Sequence, residues 1–356
     1  MENRSRHSAM TALGRLPFAL LVLVATFSGS PVEAKRKDDV VIMKDGDKFT
    51  GEVKKLETGI LYFKADYMVS SVQLDWARVE RLESKDNYNV SLTDGTLRIG
   101  LIEVAPDDGG FSLQANGALA RVRLAEVVFI VPVEETFLAQ LTGSFDYGFN
   151  FTSGNNVTQS SVSGATAYRA AKWRIQVSGS SVFNRQTDAE KSGRNSLGGI
   201  YTRSFSQHWF MGANAAFLNS EQQDLTLRTT FGGGVGRDFV KSGTAGLFIL
   251  GGVAFSREKY SAKLGDQPAA DNAEAQIQAR FFKATFTKMR FDGNLAAYPN
   301  ITTAGRVRLS AEISWSIEIY RNLYWKLSLY ENFDNKPPVN APRNDFGIGT
   351  SIGWTF

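Results

Sequence analysis

Strict alternation between apolar and polar residues is the strongest constraint on this chain, and it runs from about residue 137 to residue 356. The segment "RVRLSAEISWSIEIY" (306–320) is the clearest case. Successive side chains of a strand point to opposite faces, so one face here is aliphatic and aromatic while the other is charged or hydroxylic. "LYWKLSLYENF" (323–333) and the final "FGIGTSIGWTF" (346–356) repeat the pattern. The polar face is too polar for a soluble core, which predicts strands with lipid against one face.

The connections between these segments favour a membrane barrel over a soluble β-sandwich, which would also alternate. Short links such as "FSQHW" and "VKSG" interleave with longer polar links such as "RQTDAEKSGRN" and "DNKPPVNAPRN". Tight periplasmic turns and long outer loops alternate in this way in bacterial outer-membrane barrels. We therefore predict an all-β fold whose second domain, residues 136–356, is a transmembrane antiparallel barrel of about twelve strands, an even number.

Aromatic residues predict which end of the barrel meets an interface. Trp173, Trp209, Trp325 and Trp354 all lie beside a short link or the C-terminus, so we expect one interfacial belt on the periplasmic side. In hydrocarbon every backbone donor needs a partner, so the last strand must pair with the first. We expect Phe356 to lie at the lipid interface and to act as an assembly signal.

The N-terminal residues predict export. Basic residues precede the apolar run "LPFALLVLVATF", and Val32-Glu33-Ala34 provides small residues for cleavage, so residues 1–34 are interpreted as a signal peptide. A membrane anchor is the alternative, but the run is shorter than the roughly 20 apolar residues of a spanning helix. With Cys 0, the chain forms neither disulfides nor thiolate metal sites, and a formal charge of +4 does not indicate nucleic-acid binding.

Residues 35–135 predict a separate all-β periplasmic module. Two segments each run strand, Asp-Gly turn, strand, with turns at Asp45-Gly46 and Asp94-Gly95, which lie 49 residues apart. Each segment continues with a glycine-marked turn, a short strand and a closing apolar stretch. A duplicated unit is one interpretation, and because one copy is small for an independent core, the two would pack together.

Inward-facing charges are the one group of residues with a candidate function. The alternation places five of them on adjacent inner faces: Arg306, Arg308, Glu312, Glu318 and Lys326. A paired network that fills a narrow lumen is one interpretation. A water-filled path with fixed charges is another. Paired carboxylates for glycoside cleavage are a third.

Enzyme signals are weak. "GTSIG" puts Ser351 in the position of an elbow nucleophile, but the strand pattern continues through it without the required turn and helix. His208 is the only histidine after the signal peptide, and it falls in a short link. "FGGGVGR" (231–237) lacks the following helix of a phosphate loop and fits a strand with a glycine face. We expect no catalytic residue, cofactor or metal.

The signal peptide, the "KDGDKFTGEV" module and the barrel ending "GIGTSIGWTF" together resemble the salt-induced outer-membrane protein family, a domain of unknown function. The resemblance implies the fold and a bacterial outer-membrane location, with the N-terminal module in the periplasm, and it assigns no functional residue. We expect a non-enzymatic channel, transport or envelope-structural protein. The alternatives are an outer-membrane lipid hydrolase and a barrel that anchors an envelope-binding module. Expected partners are outer-membrane lipids, the barrel-assembly machinery and a periplasmic or envelope component, with no nucleic acid.

Overall fold

A computed structural model describes residues 38–356, except 70, 95, 105–109, 116–117, 134–140, 153–156, 170–172, 186–191, 262–268, 286–287, 321 and 339–340. The predicted signal peptide lies outside the described residues. Within this part of the chain, no helix is long and apolar enough to cross a membrane. The described residues form an N-terminal β module and a closed β-barrel.

The module is one antiparallel sheet with two short 3₁₀ helices. Its strands are β1 (Asp39–Met43), β2 (Lys48–Glu57), β3 (Ile60–Lys64), β4 (Val72–Asp75), β5 (Val79–Leu92), β6 (Leu97–Val104), β7 (Gly110–Ala115), β8 (Ala118–Arg123) and β9 (Val127–Pro132). The helices η1 (Trp76–Arg78) and η2 (Leu124–Glu126) precede β5 and β9. The strand order is β4-β3-β2-β1-β5-β6-β7-β8, and β9 pairs with β2 and β5.

The same succession of elements occurs twice in the module. The series β1 to β4 followed by η1 is matched by the second half of β5, then β6 to β8 and η2. The long strand β5 therefore ends the first series and begins the second. Its first half pairs with β1 and its second half with β9. Gly46, in the first Asp-Gly turn, has a φ of 92°, a left-handed conformation that glycine adopts without strain.

The module has its own apolar core with one buried carboxylate beside it. The core contains Val41, Leu61, Phe63, Leu82 and Ile130, all fully buried. Asp39 is 1% exposed and accepts hydrogen bonds from Val53 N at 2.7 Å, Tyr88 Oη at 2.8 Å and Ser84 Oγ. Burial raises the pKa of Asp39 despite these donors, and burial also raises the pKa of Tyr88, with the charge of Asp39 adding to the effect.

Twelve antiparallel strands close into the barrel, as the sequence predicted. They are β10 (Leu141–Thr152), β11 (Val157–Arg169), β12 (Trp173–Arg185), β13 (Ser192–Ser204), β14 (Trp209–Ser220), β15 (Leu225–Lys241), β16 (Ala245–Tyr260), β17 (Ala270–Ala284), β18 (Met289–Pro299), β19 (Val307–Tyr320), β20 (Leu323–Asp334) and β21 (Asn344–Thr355). A short 3₁₀ helix, η3 (Glu221–Gln223), connects β14 to β15. The last strand pairs with the first, and Phe356 and Gly143 exchange backbone hydrogen bonds of 3.0 and 3.1 Å.

The outer wall of the barrel is apolar, as a hydrocarbon environment requires. On β21 the outward side chains Phe346, Ile348 and Ile352 are exposed, whereas Asp345 and Ser351 on the opposite face are buried. Exposed outward residues on other strands are Phe145, Tyr147, Phe149, Phe183, Phe231, Val253, Phe255, Ile277, Leu309 and Leu327. This band, together with a closed ring of backbone hydrogen bonds, defines a transmembrane β-barrel.

The two ends of the barrel differ in their connections. At the loop end, where β10, β12, β14, β16, β18 and β20 end, successive strands are 4 to 9 residues apart along the chain. At the turn end, where β11, β13, β15, β17 and β19 end, they are 2 to 4 residues apart. The four tryptophans of the predicted belt lie in the first or last few residues of their strands, all at the turn end. Trp173 contacts the rings of Tyr168 and Tyr201 there, with centroids 5.2 and 6.2 Å away. Their interfacial role stays a prediction.

The module contacts the barrel at the turn end. Gly59 lies close to Thr244, which is in the turn between β15 and β16. A Cβ atom added at Gly59 would lie only 2.6 Å from Cγ2 of Thr244. The guanidinium of Arg169, at the end of β11, lies 5.1 Å from the ring centre of Phe129. Burial raises the pKa of Tyr62 to about 12, and the negative charges of Glu57 and of Glu318 on β19 add to this shift. Module and barrel belong to one structural unit, and the predicted boundary between them at residue 135 stays a prediction.

Candidate functional site in the barrel lumen

All five predicted lumen charges lie on the inner side of the barrel wall. Arg308, Glu312 and Glu318 follow one another along the inner face of β19. Arg306 directly precedes this strand, and Lys326 lies on the inner face of the neighbouring β20. Arg306 and Arg308 are at the loop end, and Glu318 is at the turn end, as their order along the strand requires.

Glu258 on β16 is the centre of a buried charged cluster at the loop end. It is 0% exposed and accepts hydrogen bonds from Nε of Arg228 at 2.7 Å and from Nη2 of Arg306 at 2.8 Å. Tyr260 adds a third donor, with its Oη 3.2 Å from Oε2 of Glu258. Arg306 also donates from Nε to both carboxylate oxygens of Asp334 at 3.2 Å. A fully buried carboxylate is therefore satisfied by two guanidinium groups and a phenol.

Arg308 binds a second buried carboxylate next to this centre. Its Nε donates to Oε1 of Glu274 at 2.8 Å and lies 3.8 Å from Glu258, while its guanidinium covers the ring of Tyr298 at 4.9 Å. Arg228, Arg306 and Arg308 are thus balanced by Glu258, Glu274 and Asp334. We call these six residues the loop-end cluster. It has no net charge, and each of its members is at most 7% exposed.

Side chains meet across the lumen at two depths. At the loop end Ser220 on β14 donates to Asp345 on β21 at 2.7 Å, and Gln223 of η3 donates to the carbonyl of Asn332 on β20 at 3.2 Å. Nearer the turn end, Nη1 of Arg280 on β17 donates to Oε1 of Gln176 on β12 at 2.7 Å. These strands face each other across the barrel. The contacts therefore join opposite walls of the lumen.

The glycine face predicted in "FGGGVGR" lets large side chains lie flat against the wall. A side-chain carbon at Gly236 would lie 2.2 Å from the ring of Phe210, and one at Gly232 would lie 2.4 Å from the amide oxygen of Gln276. Phe210 is 4% exposed and packs edge-on against Phe248, with ring centres 5.3 Å apart. The glycines thus make room for side chains that fill the lumen.

The remaining predicted charges lie nearer the turn end in smaller pairs. Glu318 pairs with Lys288 at 3.0 Å, and Lys326 pairs with Asp146 of β10 at 2.8 Å. Tyr324 also donates to Asp146 at 2.6 Å. Glu312 is exposed to the lumen and has no ion pair among the described residues.

The centre of the cluster was not predicted from the sequence. Glu258 lies between Arg257 and Lys259 in "FSREKY", a stretch with charges on both faces, and these two neighbours point outward. Asp334 and Asp345 lie at strand ends, where alternation gives little guidance. The available signal was the alternation along β16, which puts Glu258 on the same face as Leu250, Ala254 and Ser256.

The two residues considered for nucleophilic chemistry occupy unrelated settings. Ser351 is on the inner face of β21, in an uninterrupted strand without the turn that an elbow needs. His208 lies exposed in the turn before β14, where its backbone oxygen accepts from Asp238 N at 2.8 Å.

Residues 145–356 match the family described as "Protein of unknown function, DUF481". The match covers more than half of the chain. The chain belongs to the DUF481 family. The matched residues begin in β10 and end at the last residue, so family membership rests on the barrel. No curated protein sequence matches the chain.

Solved structures that resemble the chain are bacterial β-barrels. An outer membrane channel from Pseudomonas putida F1 shares 9% identity with a TM-score of 0.34, covering 61% of this chain and 95% of that one. The translocator domain of the autotransporter NalP from Neisseria meningitidis shares 11% identity with a TM-score of 0.31, covering 60% and 87%. The channel DcaP of Acinetobacter baumannii shares 12% identity with a TM-score of 0.30, covering 90% and 94%. At these values the similarity carries no functional argument.

Proposed function

We propose that this protein is an integral barrel of the bacterial outer membrane with a closed lumen, and that it anchors its N-terminal module on the periplasmic side. This is an envelope-structural role without enzymatic chemistry. The supporting observation is the loop-end cluster, in which Arg306 bridges Glu258 and Asp334 across the inside of the barrel. The apolar outer wall supports the membrane location.

The energetics of the cluster favour a closed lumen over an open pore. A continuous water path would have to separate at least one buried ion pair. Separating such a pair would sacrifice its charge-assisted hydrogen bonds, so the closed form should be the more populated one. Because the cluster has no net charge, it also provides no fixed charge to select ions.

The contacts at the turn end support the anchoring role. The β2–β3 turn at Gly59 and strand β9 at Phe129 contact the barrel there. The turn end, which contacts the module, also carries the four tryptophans. Tight turns are expected at the periplasmic end of such a barrel. The barrel would then hold the module at a fixed place under the membrane.

Conductance across a planar bilayer tests the closed lumen. Purified protein whose gel mobility changes on boiling, and is therefore folded, should insert without a steady ohmic conductance. The double variant Arg306→Ser with Arg308→Ser leaves Glu258, Glu274 and Asp334 with fewer partners, and should produce cation-selective openings. A steady conductance from the folded wild-type protein would refute the proposal and favour a constitutive channel.

Cell fractionation tests the location. The protein should fractionate with outer membranes, and protease added to intact cells should leave the module uncut. Recovery of the protein in the soluble periplasmic fraction would contradict the membrane location.

A further inference from the structure

Three arginines on the inner wall near the turn end differ from the loop-end cluster because they have no acidic partner among the described residues. They are Arg169 on β11, Arg174 on β12 and Arg280 on β17, and all three are half-buried. Among the described residues, none of them has a carboxylate within the 4.0 Å of an ion pair. In the loop-end cluster every arginine has such a partner.

The three guanidinium groups converge on one region of the lumen. Arg169 and Arg174 are direct partners in the ladder between β11 and β12, so their side chains emerge side by side. Arg280 starts from the opposite wall and reaches Gln176, the next inward residue after Arg174, with its Nη1 2.7 Å from the amide oxygen. Positively charged side chains from opposite walls therefore come close together in this part of the lumen.

Neutral groups cover the faces of two of these side chains. Arg280 lies over the ring of Phe248 at 5.7 Å, and Arg169 lies over the ring of Phe129 at 5.1 Å. A guanidinium stacked on a ring still directs its N–H groups outward in its own plane. These edges remain able to bind an acceptor.

Most nearby carboxylates already pair with other cations. Asp292 pairs with Arg290 at 2.6 Å, Asp238 with Lys241 at 3.8 Å and Glu57 with Lys55 at 3.6 Å. Only Glu312, on the same inner wall as Arg280, has no ion pair among the described residues. Three arginines against one carboxylate leave an excess of positive charge in a confined space where screening is weak.

We propose that Arg169, Arg174 and Arg280 form a binding site for a small multivalent oxyanion of the phosphate type. The planar guanidinium binds two oxygens of such an anion at once, and several oxygens allow more than one arginine to bind. With the loop end closed as proposed above, the anion would enter from the turn end. The site is independent of the anchoring role.

Isothermal titration of the purified full-length protein in a non-ionic detergent, with pyrophosphate and with inorganic phosphate as probes, tests the site. The wild-type protein should bind pyrophosphate saturably and more tightly than phosphate. Arg174→Gln and Arg280→Gln should each weaken binding at least tenfold. Arg174→Lys keeps the charge but loses the two-pronged geometry, so it should weaken binding less than Arg174→Gln.

Arg203→Gln is the matched control, since Arg203 lies at the same end of the barrel but is exposed on its outer face, opposite Trp173. It should leave the affinity unchanged. The gel shift on boiling verifies that each variant is folded, and Arg174→Lys provides a milder change if Arg174→Gln does not fold. Absence of saturable binding to the wild-type protein, or equal affinity in Arg174→Gln and Arg203→Gln, would overturn the site. Neither result bears on the conductance test of the closed lumen.

Discussion

Replacing Glu258 with glutamine is the most direct test of the loop-end cluster. The change keeps the size of the side chain and removes its charge. Arg306 would retain Asp334, and Arg308 would retain Glu274. Arg228 would lose its only carboxylate partner among the described residues. One guanidinium, 7% exposed, would then remain buried without a countercharge.

The expected loss of stability follows from that single uncompensated charge. Removing one partner of a buried ion pair costs roughly 3–5 kcal/mol. The amide oxygen of glutamine can still accept one hydrogen bond, so we expect a value near the lower limit. About 3 kcal/mol corresponds to a decrease of roughly 150-fold in the ratio of folded to unfolded protein.

Equilibrium unfolding in urea, with the protein inserted in phospholipid vesicles and followed by tryptophan fluorescence, measures this loss. Asp271→Asn is the control, because it breaks an ion pair with Arg257 at 3.7 Å whose side chains are 70% and 72% exposed. That change should cost about 1 kcal/mol or less. Adding Arg228→Gln to Glu258→Gln should restore part of the stability by removing the orphaned charge. If the two changes destabilise additively, or if Glu258→Gln costs no more stability than Asp271→Asn, the loop-end cluster does not stabilise the barrel through the charge of Glu258.

Three further predictions concern the C-terminus and the module. Phe356→Asp should lower the yield of folded barrel in cells, because it puts a charge at the lipid interface and removes the predicted assembly signal, and a normal yield of heat-modifiable protein would contradict this. Residues 38–135 expressed alone should give a soluble β-rich protein by circular dichroism, since the core of the module is its own, whereas an aggregated fragment would mean that it depends on the barrel. In that fragment, folding raises the pKa of Asp39. The stability that Asp39 contributes is therefore fully present below its ordinary pKa of 3.8 and is lost as the pH rises through the raised pKa. The urea midpoint of Asp39→Asn should therefore rise relative to that of the wild-type fragment as the pH increases above 4, and parallel pH profiles would refute this assignment.

The fold could be predicted from the sequence because its main determinants are local. The alternation in "RVRLSAEISWSIEIY" sets which side of β19 is apolar, whatever the neighbouring strands are. The even strand number, the positions of the turns and the end at which Trp173 and Trp354 lie follow from counting segments along the chain. The Asp-Gly dipeptides likewise predicted tight turns between strands of the module.

Which charged side chains pair inside the barrel was decided by the tertiary structure alone. The alternation predicts Arg306 and Arg308 on an inner face but leaves open whether they line a water-filled path or pair with acids. Their partner Glu258 is 48 residues from Arg306 along the chain, and Arg280 and Gln176 are 104 residues apart. Alternation determines the direction of each side chain but not its depth or its partner across the barrel. These depend on the register of the strands and on how the barrel closes, which bring distant segments to one level and leave Arg169, Arg174 and Arg280 without acidic partners among the described residues.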